Sequence, residues 1–442
     1  MSIIISYKSL IEFELIIRNY SKLEKDPYFA DALKIISSGL DAAMPDNVLN
    51  HIFKSNIMRF NTKKIKLSNY DSIYLIAFGK AANSMAKSVN SQVKIKKGIL
   101  VVPKGTKQLI KNNRFKIIKS SHPLPDKTSV LAAKSVLDFL KQRTKNELVI
   151  FLVSGGASAL LSLPDGISLN EKIKITNLLL ASGANIQEIN CIRKHLSKIK
   201  GGRLIEGIRC DAFSLIISDV MNNDLSSIAS GTTYFDKTTF SDALQIIKKY
   251  HLQHKVSKKI LKRLQAGSSK KIPETPKKIK IPHKIILTNN DCIESMKNTS
   301  KQLGYTVKTL SISGDVTKAA TKLVSNIPKS KNFCIIFGGE TTVHLKGKGK
   351  GGRNQELVLR VLEKLQKIKQ ELIVCSLGTD GIDGNTKYAG SISKNTHINP
   401  KIIKKYLKNN DSNSFFKKYG GLIKTGYTNT NLMDIGLILK SK

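Results

Sequence analysis

The chain has 442 residues, 40% of them hydrophobic, enough to bury the cores of two or three domains. Its five cysteines are scattered without a CxxC pair and its eight histidines contain no HExxH, which argues against a disulfide framework, a structural zinc site or a zinc hydrolase and fits a reducing compartment. The net charge of +42 is spread over the whole chain as lysine in company with Ile and Asn, and the 6% of aromatics do not interleave with the basic runs. That pattern reads as compositional bias with some benefit for anionic substrates, not as a nucleic-acid or membrane surface.

The first 20 residues are mildly apolar, but Glu12 and Glu14 interrupt them and no small-residue cleavage site follows, so no signal peptide is expected. No apolar run reaches about 18 residues, so no membrane span is expected and the predicted location is cytoplasmic. Residues 1–70 read as mostly helical, with a Pro-containing turn from Asp41 to Asp46. Ile73–Phe78 is a short apolar strand followed directly by Gly79-Lys80-Ala81-Ala82 and a helical stretch. In open parallel sheets ligands bind beyond the carboxyl ends of strands, which places Lys80 where catalytic groups sit; the plainer alternative is a surface lysine. The turn lacks GxxxxGK[ST] and is not a P-loop.

Ile99–Val102 is a further strand, stopped by Pro103. Ser121–Asp126 is a proline-framed loop in which His122 either contacts substrate or caps a turn, and a helix is predicted from about Ser129 to Lys141. Leu148–Val153 is the strongest buried strand. Ser154-Gly155-Gly156-Ala157-Ser158 follows it and opens a helix, a nest of backbone amides suited to an anion; neither serine lies in GxSxG. Glu188–Leu204 reads as one basic helix ending at Gly201-Gly202. Arg193, Lys194, Lys198 and Lys200 lie on more than one of its faces, and either they are solvated or one or two of them reach an anion.

Phe213–Ile217 is a strand that ends in Ser218-Asp219-Val220, with Asp224 nearby. Carboxylates there suit a Mg²⁺ ligand or a general base, and Asp224 also suits an N-cap. Residues 251–282, rich in Lys, Ser and Pro, read as a linker. A second α/β part begins with the strand Lys284–Leu287, with Asp291 as a possible N-cap. Its strand Phe333–Phe337 leads into Gly338-Gly339-Glu340-Thr341 and a Gly/Lys-rich turn. The turn ends in Gly351-Gly352-Arg353-Asn354, where a helix starts. Glycines, a helix N-terminus and a guanidinium together read as a phosphate site; the alternative is a Gly-rich hairpin with a solvated arginine. Leu372–Leu377 leads into Gly378–Gly384, whose Asp380 and Asp383 lack the final Glu of a calcium loop. Strands alternate with helices throughout, so the predicted class is α/β with mostly parallel sheets.

The ordered set GKAANSMA, SSHPLPD, LVSGGASALL, IRKHLSKIKGGRL, SDVMNNDLSSIASGTT, GGETTVHLKGKGKGGRNQE and LGTDGIDGNT resembles the glycerate 2-kinase family of the MOFRL type, over roughly residues 8–437. The resemblance implies a Rossmann-like N-terminal domain (residues 1–250), the linker (251–282) and a smaller C-terminal α/β domain (283–442). It implies an active site in the cleft between the domains and ATP, Mg²⁺ and D-glycerate as reactants. It assigns Lys80, Arg353 and Asp380 to catalysis. Ser154, Gly155, Gly156, Ser158, His122 and Arg193 are expected at the substrate, Gly338, Gly339, Glu340, Thr341 and Asn354 at the nucleotide, and Asp219 and Asp224 at the metal. Asn223 stands where the family usually has an acid. Asp219 and Asp380 are left open between base and metal ligand, and the oligomeric state between monomer and homodimer. The competing enzyme reading is an NAD(P)H-dependent hydroxypyruvate reductase, but no GxGxxG with a downstream acid follows a predicted strand.

Overall fold

The computed structural model describes residues 16–220, 222–366, 368, 370–395 and 398–440, so the helical expectation for residues 1–15, and Met221, lie outside the described residues. The chain divides into two units. One runs from Pro45 to Ile286; the other joins the residues before Pro45 to those from Leu287 onward. The boundary at Ile286 lies close to the expected start of the C-terminal domain at 283, but residues 251–282 belong to the first unit and the residues before Pro45 to the second. Helix α1 (Ala30–Ala42) goes with the C-terminal part because Leu33, Ile35, Ile36 and Leu40 are fully buried there. A β-carbon on its Gly39 would stand 2.7 Å from Met296 and 3.0 Å from Ile435.

In the Pro45–Ile286 unit, residues 53–66 are not helical as expected. They form the antiparallel strands β1 (Phe53–Lys54), β2 (Ile57–Phe60) and β3 (Lys63–Lys66). Met58 and Phe60 are buried while Arg59 between them is exposed, a period of two that the Ile and Leu content masks. The main sheet contains β4 (Ser72–Phe78), β5 (Lys97–Pro103), β6 (Phe115–Ser120), β7 (Glu147–Val153), β8 (Asp211–Ile217) and β9 (His283–Leu287), in the order β6-β5-β4-β7-β8-β9. Every pairing from β6 to β8 is parallel. Six consecutive residues are buried in both β4 and β7, as parallel strands covered on both faces require. Helices α2 (Ala82–Gln92) and α3 (Lys127–Lys141) follow β4 and β6. Strand order reverses between β4 and β7, the position at the carboxyl edge of an open parallel sheet where ligands bind.

Helices α4 (Leu169–Ala181), α5 (Ile186–His195), α6 (Phe240–Lys249) and α7 (Lys258–Ser268) build a second core around Phe240. Helix α5 was expected to reach Leu204 but stops at His195. The chain beyond it is irregular, and Gly201 and Gly202 adopt φ of +62° and +84°. Helix α7 lies inside the expected linker. Its Ile260 and Leu264, four residues apart, are buried, and a β-carbon on Gly267 would stand 2.1 Å from the Phe240 ring. The lysine-rich surface of α7 hides this apolar stripe from a composition count.

The second unit contains α8 (Asn289–Gln302), β10 (Thr306–Asp315), α9 (Val316–Ser325), β11 (Phe333–Thr342), α10 (Arg353–Leu365), β12 (Leu372–Gly378), β13 (Gly390–Lys394), β14 (Leu422–Ile423) and β15 (Asp434–Lys440). Thr288, not Asp291, is the N-cap of α8; Asp291 accepts from the Thr288 amide at 2.7 Å. The sheet order is β10-β11-β15-β12-β13-β14. β10 and β11 are parallel, but β15 runs antiparallel to both β11 and β12. The parallel expectation therefore holds for the main sheet of the first unit, and the sheet of the second unit is mixed. No helix among the described residues is long and apolar enough to cross a membrane.

Candidate active site

In the first unit the β4 and β7 loops are tied to each other. Gly79 has φ of +128°, and a β-carbon there would meet the Ser154 hydroxyl at 2.2 Å. The Ser154 hydroxyl accepts from the Ala81 amide at 3.0 Å, and the Gly155 carbonyl accepts from the Lys80 amide at 2.9 Å. Ser154 is fully buried, so it acts as a strut under Lys80 and not as the substrate contact expected. Gly156 remains at the surface of the crevice. Its φ is +79°, and a β-carbon there would lie 3.1 Å from the His122 ring and 3.3 Å from the Lys80 side chain.

Helix α3 is capped by Asp126, in a reciprocal box with Ser129, and the His122 ring lies beside Gly156. Asp219, at the end of β8, is half-buried. Burial raises its carboxyl above the ordinary aspartate range, while the Lys80 charge and an amide hydrogen bond from Gly156 pull the other way. Asp224 caps its own loop, in line with the capping alternative for it. Its carboxylate accepts from the Ser226 amide at 3.0 Å and the Ser226 and Ser227 hydroxyls at 2.8 and 2.6 Å, which ties its oxygens to its own loop.

A pocket of about 190 Å³ opens beside Gly156, lined among others by His122, Ser158, Lys172, Arg193 and Lys200. Lys172 sits three and seven residues before Ile175 and Leu179 on the buried stripe of α4, and its Nζ donates to the Ser162 hydroxyl at 3.2 Å. Lys200 is fully buried, and its Nζ donates to the Ala229 carbonyl at 3.3 Å. Burial pushes the Lys172 ammonium down to about 7, with the Arg193 charge adding to the effect. Burial likewise lowers Arg193, and it lowers Lys200 far below the ordinary lysine range, helped by the charges of Lys172 and Arg193. Neighbouring Lys194 is different: it is buried against Asp236 at 3.1 Å and is structural. The sequence offers Arg193 and Lys200 among four basic residues of which one or two reach an anion, and Lys172 lies outside that set. A lysine in phase with an apolar stripe was the available signal for Lys172.

In the second unit β11 continues through Thr342, beyond the expected end at Phe337. Gly338 and Gly339 are paired on both sides, with Ser311 and Ile312 of β10 and with Ile435 and Asp434 of β15. A β-carbon on Gly339 would stand 2.0 Å from the Ile312 carbonyl oxygen. These glycines serve close strand packing and not an open cradle for the nucleotide. Thr341, in the same strand, is buried.

The N-terminus of α10 is also occupied by the protein itself. The Asp383 carboxylate accepts from the Asn354 and Gln355 amides at 3.0 and 2.9 Å, so the anion read at this helix start is Asp383. Burial pushes the Asp383 carboxyl up to about 6, against those amides and with the Asp434 charge adding. Asn354, expected at the nucleotide, spends its side-chain amide on Asp434 at 3.0 Å and Asp383 at 3.3 Å.

Arg353 donates through Nε and Nη2 to the two oxygens of Asp434 at 2.6 and 2.9 Å, and its Nη1 lies 3.0 Å from Glu340. Burial alone would lower its pKa; the Asp434 and Glu340 carboxylates outweigh that and hold the guanidinium charged. Asp380 accepts from the Ile382 amide at 3.1 Å in its own turn. Asp434, the partner that fixes Arg353, lies in no motif singled out above. Among the described residues no three His, Cys, Asp or Glu side chains gather as a preformed metal site.

Fold and geometry define a two-unit α/β protein whose first unit gathers cations at a Rossmann-like crevice and whose second unit presents an acid-clamped arginine. A family model described as a domain of unknown function (DUF4147) matches residues 31–265, and the MOFRL family model matches residues 333–434. A D-glycerate 2-kinase of Thermotoga maritima is 36% identical, with 92% of this chain and 98% of that protein covered. A glycerate 2-kinase of Pyrococcus horikoshii is 35% identical, with 91% and 95% covered. A crystal structure of glycerate kinase from Thermotoga maritima matches with a TM-score of 0.78 at 35% identity, covering 93% of this chain and 98% of that one. The chain belongs to the MOFRL-type glycerate 2-kinase family.

Proposed function

We propose that the protein transfers the γ-phosphoryl group of ATP to the 2-hydroxyl of D-glycerate, giving 2-phosphoglycerate and ADP. The observation that carries the reading is the near full-length likeness to named glycerate 2-kinases, in a chain that sets Lys80 at the β4/β7 switch point beside a cationic pocket. Phosphoryl transfer asks the protein for positioning and charge stabilisation more than for covalent chemistry. Lys80 and Arg353 neutralise the γ-phosphoryl oxygens, and that both units act on one nucleotide, in the cleft between them, belongs to this proposal.

Asp219, with its raised carboxyl beside Lys80, accepts the proton of the glycerate hydroxyl. The hydroxyl oxygen bonds to phosphorus as the bond to the bridging oxygen breaks and ADP leaves. Mg²⁺ asks for only one or two protein carboxylates besides the phosphates. Glu340, 3.0 Å from Arg353, and Asp380 would fit that need; Asp224, spent on its serines, does not. When bound, Mg²⁺ neutralises charge on the β- and γ-oxygens.

The test is incubation with ATP, Mg²⁺ and D-glycerate and identification of the product by ³¹P and ¹H NMR. The 2-phosphoglycerate signals are expected; 3-phosphoglycerate would move the site of transfer. Oxidation of NADH with hydroxypyruvate and no phosphorylated product would favour the reductase. Lys80→Ala should lower kcat by about 10³-fold with Tm unchanged, as loss of an oriented cation at this transition state does.

A further inference from the structure

We infer that Lys172, Arg193 and Lys200 form a carboxylate cradle that takes the acid group of the small substrate and seats that substrate beside Lys80. The identity of the acid, a short hydroxycarboxylate, rests on the function proposed above.

Other buried cations of the chain have an acid at hand. Lys194 has Asp236 at 3.1 Å, Arg143 has Glu147 at 3.7 Å, and Arg353 has Asp434. Among the described residues no carboxylate pairs with Lys172, Arg193 or Lys200. Among the described residues the two lysines hydrogen-bond only to neutral groups, Ser162 and Ala229. Three like charges withdrawn from water are stable together only when an anion enters among them.

The three come from separate places: the buried stripe of α4, the last turn of α5 and the irregular segment after it. That segment is pinned by the Gly201 and Gly202 amides on the Ser230 and Gly231 carbonyls, at 3.2 and 2.7 Å. Helix ends and a pinned loop thus converge on one pocket, and that pocket reaches Gly156, whose missing β-carbon keeps His122 and Lys80 close.

Size and lining select the ligand. At about 190 Å³ the pocket is smaller than the roughly 300–1,000 Å³ of sites that take drug-sized molecules, a class that includes nucleotides. None of its lining residues is Asp or Glu, so it offers no ligand to the metal that accompanies a triphosphate. A small monoanion fits, with Ser158 and His122 lining the same pocket as the three cations. The titratable groups facing the ligand are Lys172 from α4, Arg193 from α5, Lys200 after it and His122 from the 121–126 loop. An arriving carboxylate therefore draws a proton onto a lysine.

The experiment is calorimetric titration of D-glycerate into the full chain at pH 8, in two buffers of different ionisation enthalpy. It is run with and without a non-hydrolysable ATP analogue, with glycerol as the control that lacks the acid. Binding of D-glycerate with uptake of about one proton, and none of glycerol, is expected. Lys172→Met and Lys200→Met keep length and remove charge. Each should raise the Tm of the ligand-free protein, weaken D-glycerate about tenfold or more, and leave KM for ATP within about twofold.

Unchanged D-glycerate affinity in both variants, a rise in KM for ATP instead, or wild-type binding with no proton uptake overturns the cradle and leaves the kinase reading standing. Absence of wild-type binding to D-glycerate, lactate and glycolate also overturns it. Proton-linked binding of D-glycerate without its phosphorylation upholds the cradle and removes the kinase reading. The proton count needs no variant, so a poorly folding substitution does not block the decision.

Discussion

Lys172 and Arg353 are both cations taken largely out of water, and their surroundings make opposite predictions. Arg353 is gripped by Asp434, which is 1% exposed, and touched by Glu340, which is half exposed. Removing one partner of a buried pair strands the other charge, at a cost of about 3–5 kcal/mol, whereas an exposed pair contributes about 0–1 kcal/mol. Asp434→Asn should therefore destabilise by about 3 kcal/mol in urea unfolding and lower kcat about 100-fold as the guanidinium loses its fixed orientation. Glu340→Gln should change stability by less than about 1 kcal/mol.

Lys172 has no such grip. It ionises at about 7 in the folded chain, against about 10.4 when unfolded. Between those values the unfolded chain holds the extra proton. The destabilising burden is complete below pH 7 and is lifted as pH rises toward 10. Ligand-free stability should therefore climb from pH 7 to 9.5, and Lys172→Met should flatten that climb by up to about 1.4 kcal/mol per pH unit in urea melts.

At the scale of elements, the start of α10 gives the cleanest test. Gly352 has φ of −145°, a conformation open to any residue, so backbone freedom does not explain the glycine. A β-carbon there would stand 2.3 Å from the Asp383 carboxyl. Gly352→Ala should push Asp383 off the helix amides and cost about 1–2 kcal/mol, the usual worth of a lost cap, read as a fall in Tm.

The same element shows what the sequence could and could not tell. The glycines, the arginine and the helix start were all visible as an anion site. The anion was not, because Asp383 arrives from a loop 30 residues downstream and only tertiary structure brings it there. Strands β4, β7, β8 and β12 were legible to within two residues, since strands covered on both faces, parallel or not, are continuous apolar runs. β15 was not called, and its arrival between β11 and β12 makes the second sheet mixed and delivers Asp434 to Arg353. Helix α7 was lost for another reason: its surface lysines dominate the composition while two residues of its stripe carry the packing.

At the scale of the whole molecule, the division of the chain predicts how it can be cut. Residues 287–442 carry the whole MOFRL match and the Arg353 cluster, yet their unit also includes α1. Leu33, Ile35, Ile36 and Leu40 of α1 are fully buried. Burying such side chains stabilises by about 1.5–3 kcal/mol each, so the four amount to about 6–12 kcal/mol, comparable with the roughly 5–15 kcal/mol by which a whole domain is stable. A fragment of residues 287–442 should therefore show no cooperative thermal transition by circular dichroism, and a peptide covering residues 16–44 should restore one. A fragment of residues 45–286 keeps its sheet, its Phe240 core and its cationic pocket within one unit. It should melt cooperatively and bind D-glycerate in calorimetry while showing no phosphorylation, because Arg353 and its acids are on the other piece. Turnover by the 45–286 fragment alone would show that Arg353 is dispensable and that the chemistry belongs to the first unit.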